Sequence, residues 1–131
     1  MENQTTKRIV QTLKRPIENE YALAEKYYDI LSSINNLKLT HREIQLIAFT
    51  AIKGNISYAN IREEFCTRYS TTNPTINNII SRLKKVGILV KDGTKVKVNP
   101  VIILDFNKDI TLEIKLIHGQ TSKPVSEGLD S

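Results

Sequence analysis

Residues 70–89 read STTNPTINNIISRLKKVGIL. Within them Ile76, Ile79, Ile80 and Leu83 recur at the three- and four-residue spacing of one apolar helix face. Pro74 stands at the start, where its fixed φ suits a first turn that has no use for its missing N–H. Gly87 stands where such a helix stops. The opposite side is centred on Pro74, Asn78, Ser81 and Lys85, flanked by Thr75, Asn77 and Arg82. Adjacent asparagines are a poor choice for a merely exposed helix, because a short amide competes for backbone hydrogen bonds. Either this side is ordinary solvated surface, or its side chains touch something.

The same punctuation repeats upstream. In LTHRE (39–43), Thr40 is placed to cap a helix and Glu43, three residues on, completes a capping box. Leu39 and Ile44 have the spacing of a hydrophobic staple. The pattern predicts a helix to about Lys53, with Ile44, Ile47, Ala48, Ala51 and Ile52 inward and Gly54 as its stop. A short extended segment at 55–57 follows. Ser57 is positioned to cap a further helix, about 58–69, with Ile61 and Phe65 inward. A tight turn then leads into the opening stretch.

Downstream the period changes to two. ILVKDGTKVKVNP (88–100) predicts two short strands around Asp92-Gly93, a strong hairpin signal. VIILDF (101–106) and DITLEIKLI (109–117) predict a second β pair, with Ile110, Leu112, Ile114 and Leu116 on one face.

The flanks divide the chain further. Residues 1–16 form a basic arm with Lys7, Arg8, Lys14 and Arg15, in which RIVQTLK (8–14) reads as a short strand or an ordered extension ended by Pro16. From about Ile17 to Ile34 a stripe of Leu23, Tyr27, Ile30, Leu31 and Ile34 predicts a helix, with Tyr21 and Tyr28 beside it. Residues 118–131 have the composition of a flexible tail. The expected organisation is one domain over 17–117 in an α+β chain of 131 residues, long enough to bury a core.

Charge is modestly positive, +5 with a pI near 9.4. Its distribution says more than its total. No acid lies between Glu64 and Asp92, a run that holds Arg68, Arg82, Lys84, Lys85 and Lys91, with Lys95 and Lys97 just beyond. This suits an anionic partner. No apolar run approaches the roughly 18 residues needed to span a bilayer. The first fifteen residues have no apolar signal-peptide core. A cytoplasmic protein is expected. The single cysteine, Cys66, excludes an internal disulfide and reads as a small, partly buried helix residue. His41 and His118 have no partner at metal-ligand spacing, and no nucleophile has an evident base. Neither catalysis nor a cofactor is expected.

The order helix, extended segment, helix, tight turn, helix, hairpin resembles the winged helix-turn-helix superfamily over roughly residues 38–100. TTNPTINNIISRLKKVGILVK (71–91) is similar to the recognition-helix stretch of MarR-type regulators and of some plasmid replication initiators, with Ile76, Ile80, Leu83, Gly87, Ile88 and Leu89 at the patterned positions. The resemblance implies a three-helix core plus a β-hairpin wing, here with an added N-terminal helix and a C-terminal β pair. It departs from MarR-type proteins in its shorter hairpin, where Lys95 is the nearest equivalent of a wing-tip arginine, and in the β segment after Pro100.

What the resemblance implies about function is duplex DNA reading, by a transcriptional regulator or replication-associated factor. Asn pairs with adenine and Arg with guanine; Ser and Thr serve either base or phosphate. Thr72, Asn73, Thr75, Asn77, Asn78, Ser81, Arg82 and Lys85 are the candidate recognition-helix residues. Lys84 suits backbone phosphate, and Lys91, Lys95 and Lys97 ride on the wing. Ser57 and Tyr58 open a helix whose amides suit another phosphate. A plainer reading stands beside this one. Hairpin lysines also keep a sheet edge soluble, and exposed asparagines cost at most roughly 0.7 kcal/mol each relative to Ala. A second functional class is a winged helix used as a structural or assembly module, for example in a phage particle. A homo-oligomer or protein partner would then dock on residues 17–34 or on the C-terminal β pair.

Overall fold

In the computed structural model, which describes residues 7–119, four helices precede one antiparallel hairpin, an α+β arrangement. The helices are α1 (Glu20–Ile34), α2 (His41–Lys53), α3 (Ala59–Tyr69) and α4 (Asn73–Lys85). Strands β1 (Leu89–Asp92) and β2 (Lys95–Val98) lead into a short 3-10 turn, Pro100–Ile102.

The centre of the fold is α2, and its ends follow the sequence signals. Thr40 Oγ1 accepts from the Glu43 amide at 3.2 Å, while Glu43 Oε1 accepts from the Thr40 amide at 2.8 Å. This reciprocal box satisfies two donors that a helix start leaves open. Gly54 ends the helix at φ +96°, a conformation L side chains rarely adopt. Ile44, Leu46, Ile47, Ala48, Phe49 and Thr50 are all buried. The expected single inward stripe is therefore too narrow: Ala51 and Ile52 are only half-buried, whereas Leu46 and Phe49 are in the core. Helices on more than one side of α2, with α1 and α3 both against it, account for the wider burial.

Helix α1 starts at Glu20 rather than Ile17, because Asn19 Oδ1 caps it by accepting from the Ala22 amide at 2.9 Å. Its buried positions are Ala24, Tyr28 and Ser32, so the expected stripe is rotated by about a residue; Leu23, Tyr27 and Leu31 are half-buried and Ile34 is exposed. Tyr28 sets this orientation. Its hydroxyl donates to the Ile102 carbonyl at 2.8 Å, and its ring lies 5.7 Å from that of Phe106.

Burial, reinforced by the neighbouring Tyr27, pushes the Tyr28 hydroxyl well above its ordinary value. The folded state thus keeps its proton where the unfolded chain begins to lose it. The stability from this group is complete below the ordinary tyrosine pKa of about 10 and declines as pH rises above it. Tyr28→Phe is expected to cost about 1–2 kcal/mol at neutral pH, because the buried Ile102 carbonyl loses its donor. It should also flatten the alkaline loss of stability. Urea melts at neutral and alkaline pH measure both effects.

The hairpin pairs Leu89 with Val98, both buried, and closes at Asp92 opposite Lys95. Its turn residues are therefore Gly93-Thr94, one place beyond the expected Asp92-Gly93. Gly93 has φ +63° and Thr94 does not have positive φ, which matches a II′ turn with glycine first. The extended segment at 55–57 lies beside β2, joined by Ile56 N–H to the Val96 carbonyl at 3.0 Å. Ser57 does not cap α3. Its hydroxyl accepts from the Val96 amide at 2.6 Å, and Asn55 Oδ1 accepts from the Ser57 and Tyr58 amides instead.

The expected C-terminal β pair does not form: β1–β2 is the sole strand pairing among the described residues. Asn99 turns the chain, its side chain donating to the Gly87 carbonyl and accepting from the Val101 amide. Pro100 then has no N–H with which to extend a ladder. Ile102 and Phe106 instead bury themselves against the core, Phe106 meeting Tyr27 and Tyr28. Alternation at 109–117 is real, but no strand edge lies beside it. The basic arm, seen from residue 7, is exposed and forms no strand. The tail predicted at 118–131 lies outside the described residues from 120 onward.

Candidate nucleic-acid interface

Helix α4 is the most amphipathic of the four. Ile76, Ile80 and Leu83 are buried, and Asn73, Pro74, Thr75, Asn77, Asn78, Ser81, Arg82, Lys84 and Lys85 are exposed. The inward side packs over β1 and α3. The outward side is not uniform, and two arginines set its character.

Arg82 reaches back to α2. Its guanidinium meets Glu43 Oε2 at 2.8 Å, and that carboxylate is nearly buried, with its other oxygen serving the capping box. Glu43 therefore fastens α2's start and α4's flank together. On the other flank, Arg62 of α3 donates to Asn77 Oδ1 at 2.6 Å and, through Nε, to the Ile56 carbonyl at 2.9 Å. Arg82 and Asn77, both expected on the candidate face, are thus each held by a contact within the fold while remaining exposed. Glu43 and Arg62 shape the face without having stood out in the sequence. Glu43 reads there only as a cap, and nothing in the local pattern singles out Arg62; three-dimensional proximity reveals the rest.

Between the clamps stand Asn78, Ser81, Lys84 and Lys85, all exposed and without ion pairs or side-chain hydrogen bonds to the rest of the described chain. Asn77, Ile80, Ser81, Lys84 and Lys85 line a shallow, open depression of about 440 Å³. At the helix start, Thr72 and Thr75 hydroxyls are 3.1 Å apart. Asn73 is exposed beside them. The acid-free run in the sequence becomes a face with two ammonium groups, an amide and a hydroxyl. The nearby carboxylate of Glu43 is turned inward to Arg82.

The hairpin divides its lysines. Lys97 pairs with Asp92 at 3.2 Å, so its charge is locally compensated. Lys95 lies 5.8 Å from the centre of the Tyr58 ring, bringing two separately expected residues together in a cation–π contact. Lys91 is exposed, opposite Val96. Ser57 is half-buried with its hydroxyl committed to β2, so it positions the hairpin. The groups with raised pKa, Tyr27, Tyr28, Tyr69 and Lys53, all lie away from this face.

Among the described residues, no cluster of three or more His, Cys, Asp or Glu has the geometry to hold a metal. No described helix is long and apolar enough to cross a membrane. Cys66 is a half-buried free thiol. No protein-family model, curated protein or solved structure matches the chain.

Proposed function

We propose that the protein is a winged helix-turn-helix that reads duplex DNA, as a transcriptional regulator or replication-associated factor. In this reading α3, the turn at 70–72 and α4 are the helix-turn-helix, and β1–β2 is the wing. The observation that carries it is the α4 face. A helix clamped on both flanks, by Arg82–Glu43 and Arg62–Asn77, presents Asn78, Ser81, Lys84 and Lys85 outward. Rigid placement matters because base-edge hydrogen bonds discriminate only when donors and acceptors hold their geometry. Asn78 and Ser81 have the short polar groups suited to base edges, and Lys84 and Lys85 suit phosphates near the helix end. Lys91 and Lys95 extend the positive surface along the wing.

Binding to a randomised duplex library at several salt concentrations tests the proposal. The expected result is selection of a sequence motif, with affinity falling as salt rises because bound phosphates release counterions. Absence of binding to any duplex at low salt would overturn it. Asn78→Ala separates reading from attachment. It should cost about 1–3 kcal/mol against the preferred base while leaving affinity for unrelated duplexes unchanged.

The second reading is an assembly module of a larger complex. It draws on the exposed apolar side chains of the arm and of residues 112–117, which a minimal DNA reader has no use for. A chain that assembles or joins a protein partner with the α4 face covered, and that ignores DNA, would favour it.

A further inference from the structure

Two segments of the chain lie outside every helix and strand and carry exposed apolar side chains. Residues 7–15 carry Ile9, Val10 and Leu13, exposed at 81%, 76% and 61%. Residues 109–117 start from the half-buried Ile110 and run out through Leu112, Ile114 and Leu116, the last 91% exposed. No residue in 7–18 or 109–117 makes a backbone–backbone hydrogen bond with another described residue. Backbone with unpaired N–H and C=O groups and exposed β-favouring side chains can pair with another strand. Apolar side chains in such numbers mark an interaction site on a soluble domain.

The chain itself carries the complement of each segment. Residues 7–15 hold Lys7, Arg8, Lys14 and Arg15 and no acid, whereas residues 109–117 hold Asp109 and Glu113 against a single cation, Lys115. Arg8 and Glu113 already meet at 3.0 Å, so the two segments touch at this pair, without a backbone ladder. Any contact made between two segments of one chain can also be made between two copies, and a two-fold dimer makes it twice. We propose that the occupant of this surface is a second copy of the chain: the basic segment 7–15 of one copy pairs as a β-strand with segment 109–117 of the other. The proposal stands on the segments alone and is independent of DNA reading.

Sedimentation velocity of the full chain without DNA, over a wide concentration range, tests it. The wild-type chain is expected to be a dimer. Leu112→Asp with Ile114→Asp should give a monomer with unchanged helical circular dichroism, since both side chains are exposed. Arg8→Glu and Glu113→Arg should each weaken dimerisation about tenfold, because the repulsive pair occurs twice. An equimolar mixture of those two variants should recover a heterodimer, in which both exchanged pairs are again of opposite sign. A pairing within each chain gains nothing from mixing. A wild-type monomer, a dimer that survives the aspartate substitutions, or a mixture no stronger than its components would overturn the proposal. So would a monomer whose basic segment serves only to hold DNA.

Discussion

Phe49→Ala is expected to lower the unfolding free energy by about 3–5 kcal/mol, the range for removing a buried phenyl ring. Phe49 is fully buried near the middle of α2, and its ring joins three helices. It lies 6.0 Å from Tyr21 of α1, 5.2 Å from Phe65 and 6.3 Å from Tyr69, both of α3. Truncation opens a void bounded by elements that cannot all collapse toward it, because α1 is also fixed by Tyr28 to Ile102 and α3 by Lys53–Glu64. A domain of this size has about 5–15 kcal/mol in total, so the variant forfeits a large share of its stability. Urea denaturation should show a lower midpoint with an unchanged slope. Val101→Ala, at an exposed side chain outside both terminal segments, is the contrasting control and should shift stability by less than about 0.5 kcal/mol. An unchanged midpoint for Phe49→Ala would mean that α1 and α3 do not depend on this ring.

Phe49 also shows where reading the chain alone stops. Helix ends were legible because caps act within three or four residues: Thr40 with Glu43, Gly54, Pro74 and Gly87 all stand where local geometry requires them. Faces were legible where one side of an element is solvated, as in α4 and the hairpin. They were misread where neighbours decide burial. A single stripe describes a helix with one buried side, and α2 is buried more widely than that. Tyr28 flanks the apolar stripe by spacing, yet it is core because a carbonyl 74 residues away accepts its proton. The alternation at 109–117 predicts a strand, but a strand needs an edge to join, and within one copy Asn99 and Pro100 lead the chain away from the only sheet described. The candidate face divides in the same way. Its exposed polar side was legible from helical periodicity. Which of its residues are tied down by Glu43 and Arg62 depends on distances across the fold.

The second large effect follows from the residues that are not tied down. On the proposal that α4 faces duplex DNA, Lys84→Glu with Lys85→Glu is expected to weaken binding to every duplex by about 4 kcal/mol, roughly a thousandfold at low salt. Each reversal changes the charge facing phosphate by two units, and a unit charge about 4 Å away is worth about 1 kcal/mol even in water-like surroundings. Neither lysine has a carboxylate partner in the described chain, so no intramolecular pair offsets the change. The fold should survive. Both side chains are exposed, and glutamate in the last helical turn opposes the helix dipole by at most about 1 kcal/mol each. Lys84→Gln with Lys85→Gln should lie between wild type and the reversal, and should reduce the salt slope by about two phosphate contacts. Sequence preference should remain as it was, because in the proposed reading Asn78 and Ser81, rather than the lysines, face the base edges. If the reversed variant folds and binds duplex DNA as tightly as wild type, α4 does not face the phosphates. The positive surface of the wing, Lys91 and Lys95 over Tyr58, would then be the place to look for the DNA backbone.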